Sequence, residues 1–333
     1  LGPVGLESLG PGSLVARQGR LQIAQADSQL PQRHRDRQQA RRRASRLRAQ
    51  RAQSSQCGEG PFGNECAITL TQAGMAAKKI AQCRVRRLGE RQHRSERVGQ
   101  RAEGKPAIRH HPLFLSGAIE VQDEGSQLLG LIVAPKRSEM VVDFCAGAGG
   151  KTLLLGAIMR SQGRLYAFDV SAGRLARLKP RLARSGLSNV QPFLLNDERD
   201  TKVKRLAGKI DRVLVDAPCS GFGTLRRNPD LKWRQMPEAI DELAAKQTRI
   251  LNSAASLVKP GGRLVYATCS VLGDENEAIV DGFLASHPQF TQGDASAELK
   301  RANVALDTGA MLRLYPHVHG CDGFFAAILE RAL

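Results

Sequence analysis

The sequence predicts a three-layer α/β domain on a mostly parallel sheet, preceded by a basic segment too polar to build a core. Three observations carry that reading. From residue 140 onward, short β-rich runs alternate with Ala/Leu-rich stretches of helical period, the βαβ rhythm of a sheet covered on both faces. The stretch VVDFCAGAGGKTLLLG, residues 141–156, passes from a buried-strand pattern through small residues and glycines into a helical pattern, a turn where a ligand can approach backbone. Asp169 closes the next strand pattern, at roughly the 20-residue spacing at which a carboxylate accepts ribose hydroxyls in such folds. A nucleotide-like ligand at the carboxyl edge of the sheet is the natural occupant. The loop alone does not say which, since dinucleotide dehydrogenases share the combination.

The 333 residues allow one or two domains. Charge is distributed unevenly: residues 1–110 hold 22 Lys/Arg against 8 Asp/Glu, so this third carries +14 of the net +18. Residues 1–104 have one aromatic residue, Phe62, and no sustained apolar period. So little apolar area does not offset the entropy of ordering, and the segment reads as disordered or as aberrant sequence; a basic arm for RNA phosphates is the functional alternative. Seven cysteines, an odd number in no short framework, point to a reducing, cytoplasmic setting. No run of 18 apolar residues exists, so no membrane span is expected.

Ordered patterning begins near Gly104. Residues 105–135 read as the end of a small subdomain and a linking helix over SQLLGLIV, capped by Asp123 or Ser126; His110 and His111 read as surface loop. Residues 136–333 form the main domain. Strands are expected at 140–144, 165–170, 189–196, 211–218, 262–270 and 324–329, with helices at 150–160, after Ser171, at 236–257 and at 275–286. Pro180 falls inside the second of these helices and is expected to kink it. Asp197 follows the third strand and is the candidate for an adenine amino group, with Asn196, Glu198 and Asp200 as rivals.

The fourth strand ends in DAPCSGFGTLRRNPDLKW, residues 216–233, and the fifth in TCS. Cys219 and Cys269 are thereby aimed at one crevice, beside Asp216. A lone cysteine is usually a small buried hydrophobe; two at adjacent strand ends point to thiolate chemistry on an electron-poor ring. No CxxC or histidine partner accompanies them, so neither a metal site nor a redox pair is expected. Arg226, Arg227, Lys232 and Trp233 add positive charge and a stacking surface to the neighbouring loop.

These segments, together with GAIEVQDEGSQLLG, LYAFDVSAGRL, QTRIL, GGRLVYATCSVLGDENEAIV and LRLYPHVHGCDGFFAAIL, resemble the NOL1/NOP2/Sun family of S-adenosylmethionine-dependent RNA cytosine 5-methyltransferases, above all its bacterial 16S rRNA branch. The resemblance covers residues 105–333. It implies a class I, Rossmann-like methyltransferase sheet of seven strands, with S-adenosyl-L-methionine over Cys145, Ala146, Gly147, Ala148, Gly149, Gly150 and Lys151. Asp169 would take its ribose, with Arg174 and Asp216 in the same set and Asp197 near the adenine. It further implies Cys269 as the nucleophile, Cys219 as the group assisting product release, Asp216 on the cytosine, Lys151 as positive charge at the rim, and Arg226, Arg227 and Lys232 on the RNA backbone. The implied partner is RNA, foremost small-subunit rRNA, and the chain is expected to be a monomer.

The chain departs from that family in two places. Residues 1–104 resemble neither the helical RNA-binding domain nor the small α/β domain usual there, and Phe222 stands where a smaller aliphatic residue is more common. Competing readings are a tRNA or other RNA substrate, a DNA cytosine 5-methyltransferase with Cys219 as nucleophile, and a non-catalytic ribosome-assembly factor. Amino-group methylation is disfavoured because the fourth strand ends in DAPC and not [DN]PP[YFW].

Overall fold

Two sheets carry the strands of the structure, a computed structural model that describes residues 108–333 and the backbone of three upstream strands, β1 (Cys66–Leu70), β2 (Val85–Arg86) and β3 (Gly99–Ala102). All of these lie in one compact unit, Gly63–Leu333. The small sheet has the order β2-β3-β1-β4, antiparallel throughout, with β4 at Ile119–Gln122. Its β1–β4 ladder pairs Ile68 with Val121 and so crosses the domain boundary expected at residue 104. Within 1–104 these three strands are the described residues. The basic run at 31–53 lies outside the described residues.

Short helix α1 (Pro112–Leu115) precedes β4, and the Nδ1 of His111 caps it by accepting from the Leu113 amide. Helix α2 (Glu124–Val133) is capped by Asp123, whose Oδ1 accepts from the Gly125 amide at 2.9 Å. Ser126, the other candidate cap, instead accepts from the Gln122 side chain.

The alternation that follows is the expected one, with short additions. In order come β5 (Met140–Asp143), α3 (Gly150–Ile158), β6 (Arg164–Asp169), α4 (Ala172–Ser185), β7 (Val190–Leu194), α5 (Thr201–Arg205) and β8 (Ile210–Asp216). Then come α6 (Leu231–Arg234), α7 (Pro237–Ala255), β9 (Val258–Thr268), α8 (Glu277–Ser286), β10 (Phe290–Gln292), α9 (Ala295–Arg301), β11 (Leu312–Leu314), α10 (Pro316–His319) and β12 (Phe324–Arg331). Helix α4 runs through Pro180 without interruption; Ala176, whose carbonyl loses its donor, is exposed, so the lost bond falls on the wet side.

The main sheet has the order β10-β12-β9-β8-β5-β6-β7, seven strands, and β11 adds to β12 as an eighth. The five from β9 to β7 are parallel and β12 is antiparallel to β9. Adjacent residues divide between two cores, as a pleated sheet buried on both faces requires. Val213, Val215, Leu264, Tyr266, Phe325 and Ala327 face a core shared with Ile250 and Leu251 of α7 and Phe283 of α8. Leu214, Val265, Ala267, Ala326 and Ile328 face the other, shared with Leu129 and Ile132 of α2 and Leu299 of α9. This is the class I, Rossmann-like methyltransferase architecture. From β5 the chain proceeds outward to β6 and β7, then returns to the other side of β5 for β8 and β9, so the crevice opens beyond the carboxyl ends of β5 and β8. Among the described residues no helix is long and apolar enough to cross a membrane.

Candidate active site

Asp143 ends β5 fully buried. Its Oδ2 accepts from the Thr152 hydroxyl at 2.7 Å, while Oδ1 has no partner. Burial lifts this carboxyl to about 7, against the opposing Thr152 hydrogen bond and with a smaller rise from Asp216. The loop then turns on Gly147, at φ 58°, and Gly149, at φ 85°. A Cβ on Gly149 would lie 2.1 Å from Leu178 Cδ1, so only glycine lets α4 pack against the loop there. Above Gly147 the space is open: a Cβ there would meet only the Cys145 carbonyl, at 4.0 Å. Burial and the surrounding carboxylates push the Cys145 thiol far up, so it is an uncharged wall of the loop. Ala146 is buried, Ala148 and Gly150 half-buried.

Asp169 locks this turn to β6. Its Oδ2 accepts from the Gly147 amide at 2.8 Å and its Oδ1 from the Ser171 amide at 2.7 Å, with the Arg174 guanidinium 3.6 Å from Oδ2. Each oxygen keeps a second lone pair. Asp197 lies on the exposed loop after β7, at the same sheet edge, and holds the Arg199 amide. Its rival Asp200 is buried as the cap of α5. Open space over Gly147, a glycine-lined turn and a carboxylate with free acceptor capacity at the next strand end together fit a nucleoside ligand such as S-adenosylmethionine.

On the other side of the switch point, Lys151 Nζ donates to Asp216 Oδ2 at 2.6 Å. Burial pulls the ammonium down, but the charge and hydrogen bond of Asp216, with smaller contributions from Asp143 and Cys269, outweigh it and hold Lys151 protonated. The two thiols meet beside this pair: Cys219 and Cys269, both free, lie with sulfurs 3.3 Å apart. The Cys219 hydrogen bond pulls the Cys269 thiol below its ordinary range, opposed by burial and Asp216 and aided by Lys151. The same hydrogen bond, then burial and the Cys269 charge, push Cys219 up. The two shifts run in opposite directions, Cys269 toward easier ionisation and Cys219 away from it.

Sequence reasoning grouped Arg226, Arg227 and Lys232 as one basic surface, and the structure separates them. Arg226 lies 3.3 Å from the buried Asp322, Arg227 pairs with its other oxygen, and both approach Asp123. Their charge is committed to carboxylates of the fold. Lys232 and Trp233 are exposed on α6, the ammonium 4.9 Å from the indole ring. Among the described residues no group of three or more potential ligands could hold a metal.

Sequence reasoning also missed the support beneath the cysteines. The buried Glu275 accepts from the Ser220 amide, the Ser220 hydroxyl and the Gln247 amide group, and Asn276 bonds to Thr268 and to the Ser270 carbonyl. The acidic run GDENE was the available signal, since a carboxylate entering an apolar helix pattern needs donors if it is buried.

A profile of the family described as 16S rRNA methyltransferase RsmB/F matches residues 130–330. A probable ribosomal RNA small subunit methyltransferase B of Synechocystis is 40% identical over 235 residues, covering 70% of this chain and 52% of the relative. Its Bacillus subtilis counterpart is 35% identical over 220 residues, covering 66% and 49%. The chain spans about half the length of these curated relatives. Among solved structures, PH0851 superposes with a TM-score of 0.69 at 32% identity, covering 80% of this chain and 59% of that one. NSun6 from Pyrococcus horikoshii, solved with SFG, superposes at 0.60 with 26% identity, covering 69% and 57%. With the cysteine pair, the glycine turn and the strand order in place, the match over residues 130–330 shows that this chain belongs to the RsmB/F family of 16S rRNA methyltransferases.

Proposed function

We propose that this chain transfers a methyl group from S-adenosylmethionine to carbon 5 of a cytosine in small-subunit ribosomal RNA, through a covalent bond between Cys269 and carbon 6. The observation that carries the reading is the pair of free thiols, 3.3 Å apart at the crevice. The family match and the names of the relatives support the RNA class.

The target cytosine must leave its stack to enter, which favours an unpaired or flipped base. Cys269 adds to carbon 6, and the electron pair displaced from the ring makes carbon 5 nucleophilic. Asp216 bonds to the ring nitrogen or amine, with Lys151 holding the carboxylate in place. S-adenosylmethionine supplies the electrophilic methyl. The loop Cys145–Lys151 and Asp169 would hold it, with Arg174 beside the Asp169 carboxylate at the ribose and Asp197 at the adenine amine. Once Cys269 is a neutral thioether, its hydrogen bond and its charge no longer hold the proton on Cys219, and that proton passes to solvent. The Cys219 thiolate so formed takes the proton from carbon 5, and the Cys269–carbon bond breaks as the ring double bond returns, leaving Cys269 as a thiolate again. Lys232 and Trp233 meet the flanking strand.

RNA containing 5-fluorocytosine tests this, because fluorine at carbon 5 blocks the final proton removal. The intact enzyme is expected to form a denaturation-resistant adduct, Cys269→Ala none, and Cys219→Ala a lasting adduct even with ordinary cytosine. Loss of the adduct on removing Cys219 and not Cys269 would reverse the assignment.

A further inference from the structure

Each cysteine is held by its sequence neighbours, and both sets of neighbours converge on two adjacent residues. Around Cys219, the Pro218 carbonyl accepts from Gln247 Nε2 at 2.9 Å, and the Ser220 amide and hydroxyl donate to Glu275 at 2.8 and 2.5 Å. Gln247 Nε2 also donates to Glu275 Oε1 at 3.0 Å. Around Cys269, the Thr268 hydroxyl donates to Asn276 Oδ1 at 2.5 Å and the Ser270 carbonyl accepts from Asn276 Nδ2 at 3.1 Å. The two loops also touch through the Ser220 and Ser270 hydroxyls, 3.2 Å apart, and through the Gly223 amide, which donates to the Cys269 carbonyl at 2.8 Å. The Tyr266 hydroxyl pins the bracing segment by donating to the Glu275 carbonyl at 2.6 Å. Glu275 and Asn276 are 0% and 3% exposed.

A carboxylate taken out of water at this cost needs full satisfaction, which three donors give it. None of its partners is in the cofactor half of the crevice. Its position serves the distance between the two sulfurs: a rigid backbone bridge fixes Ser220 relative to Thr268 and Ser270, and therefore Sγ relative to Sγ.

We propose that Glu275 is a positioning residue that sets the Cys219–Cys269 separation and so permits proton exchange between the thiols; its role in turnover rests on the reading given under Proposed function. Without the brace, the Cys219 loop drifts, Cys269 loses its hydrogen-bond donor, and the carbon 5 proton of the adduct has no acceptor in reach. Initial attack slows moderately while release of the methylated base slows much more.

The test uses the full chain with Glu275→Gln and, as the smaller change on the same contact, Ser220→Ala. Iodoacetamide modification of Cys269 against pH, read by mass spectrometry without RNA, is expected to move to higher pH, with about tenfold slower labelling near neutrality for a displacement of one unit. In a Cys219→Ala background either substitution should add nothing, since its effect passes through Cys219. With ordinary cytosine RNA, both variants should accumulate the covalent complex that the intact enzyme resolves. An unchanged labelling profile in folded Ser220→Ala, or an equal shift with Cys219 already removed, overturns the proposal. Failure of the intact enzyme to form an adduct on 5-fluorocytosine RNA would instead count against the methyl-transfer reading, and the labelling profile still decides the brace.

Discussion

Lys151 and Asp216 form an ion pair across the switch point of the sheet, Nζ to Oδ2 at 2.6 Å, and its ammonium also favours ionisation of the Cys269 thiol. The lysine offsets Asp216, whose charge acts on Cys269 in the opposite sense. Lys151→Met therefore removes one stabilising charge and exposes one destabilising one. Because the thiolate is the charged form, Cys269 should ionise at higher pH. The acid limb of the methyl-transfer profile should move up, with a loss of roughly 10²-fold at neutral pH. Rates measured from about pH 6 to 9 check this, and an unshifted limb would refute it.

Asp143 predicts a pH dependence of stability. Its carboxyl rises from an ordinary 3.8 to about 7 in the fold, chiefly through burial. Between those values the native state keeps a proton that the unfolded chain has released. Its contribution is complete below the lower value and is lost as pH rises through the upper. Asp143→Asn should flatten this dependence and leave the variant more stable than the parent above neutrality, by up to about 4 kcal/mol. Urea unfolding across the window would show two parallel curves if burial of this group were irrelevant.

Gly149→Ala should cost roughly 1–3 kcal/mol, because the residue sits at positive φ and the new methyl overlaps Leu178. Relief of that overlap pushes α4 off the loop, so binding of S-adenosylmethionine by calorimetry should weaken in parallel with the unfolding midpoint.

Asp322→Ala should destabilise by roughly 3–5 kcal/mol, since it strips a buried carboxylate from two arginines. Lys232→Ala should leave stability unchanged, weaken RNA binding evenly across sequences, and lower the salt slope of binding by about 1. Thermal melts and filter binding at several salt concentrations separate the two. An intact melt for Asp322→Ala would show that its ion pairs with the arginines do not hold the fold.

The strand ends were legible in the sequence because each motif is local: a strand, a turn and its chemical residue lie within a few positions, as in residues 141–151, 216–219 and 268–270. The supports were not, because they join distant residues. Nothing near Arg227 announces Asp322, and nothing near Ser220 announces Glu275. Helices α5 and α9 and strands β10 and β11 have seven residues or fewer, too short for a period to emerge. Helix α4 continues through Pro180 because the carbonyl that loses its donor, on Ala176, faces solvent, a matter of helix face that the residue type alone does not announce.

Strand β9, which ends one residue before Cys269, is flanked on one side by β8 and on the other by β12. During synthesis β8 is already made when β9 leaves the ribosome, whereas β12 follows only after α8, β10, α9, β11 and α10. Through that interval β9 presents an open edge of Leu264, Val265, Tyr266 and Ala267, the kind of surface on which nascent chains stick to one another. The order of encoding thus leaves the strand that carries Cys269 paired on one side only until Phe324–Arg331 has been made, and a ribosome-bound chain short of Phe324 has both cysteines but not the whole frame that aims them.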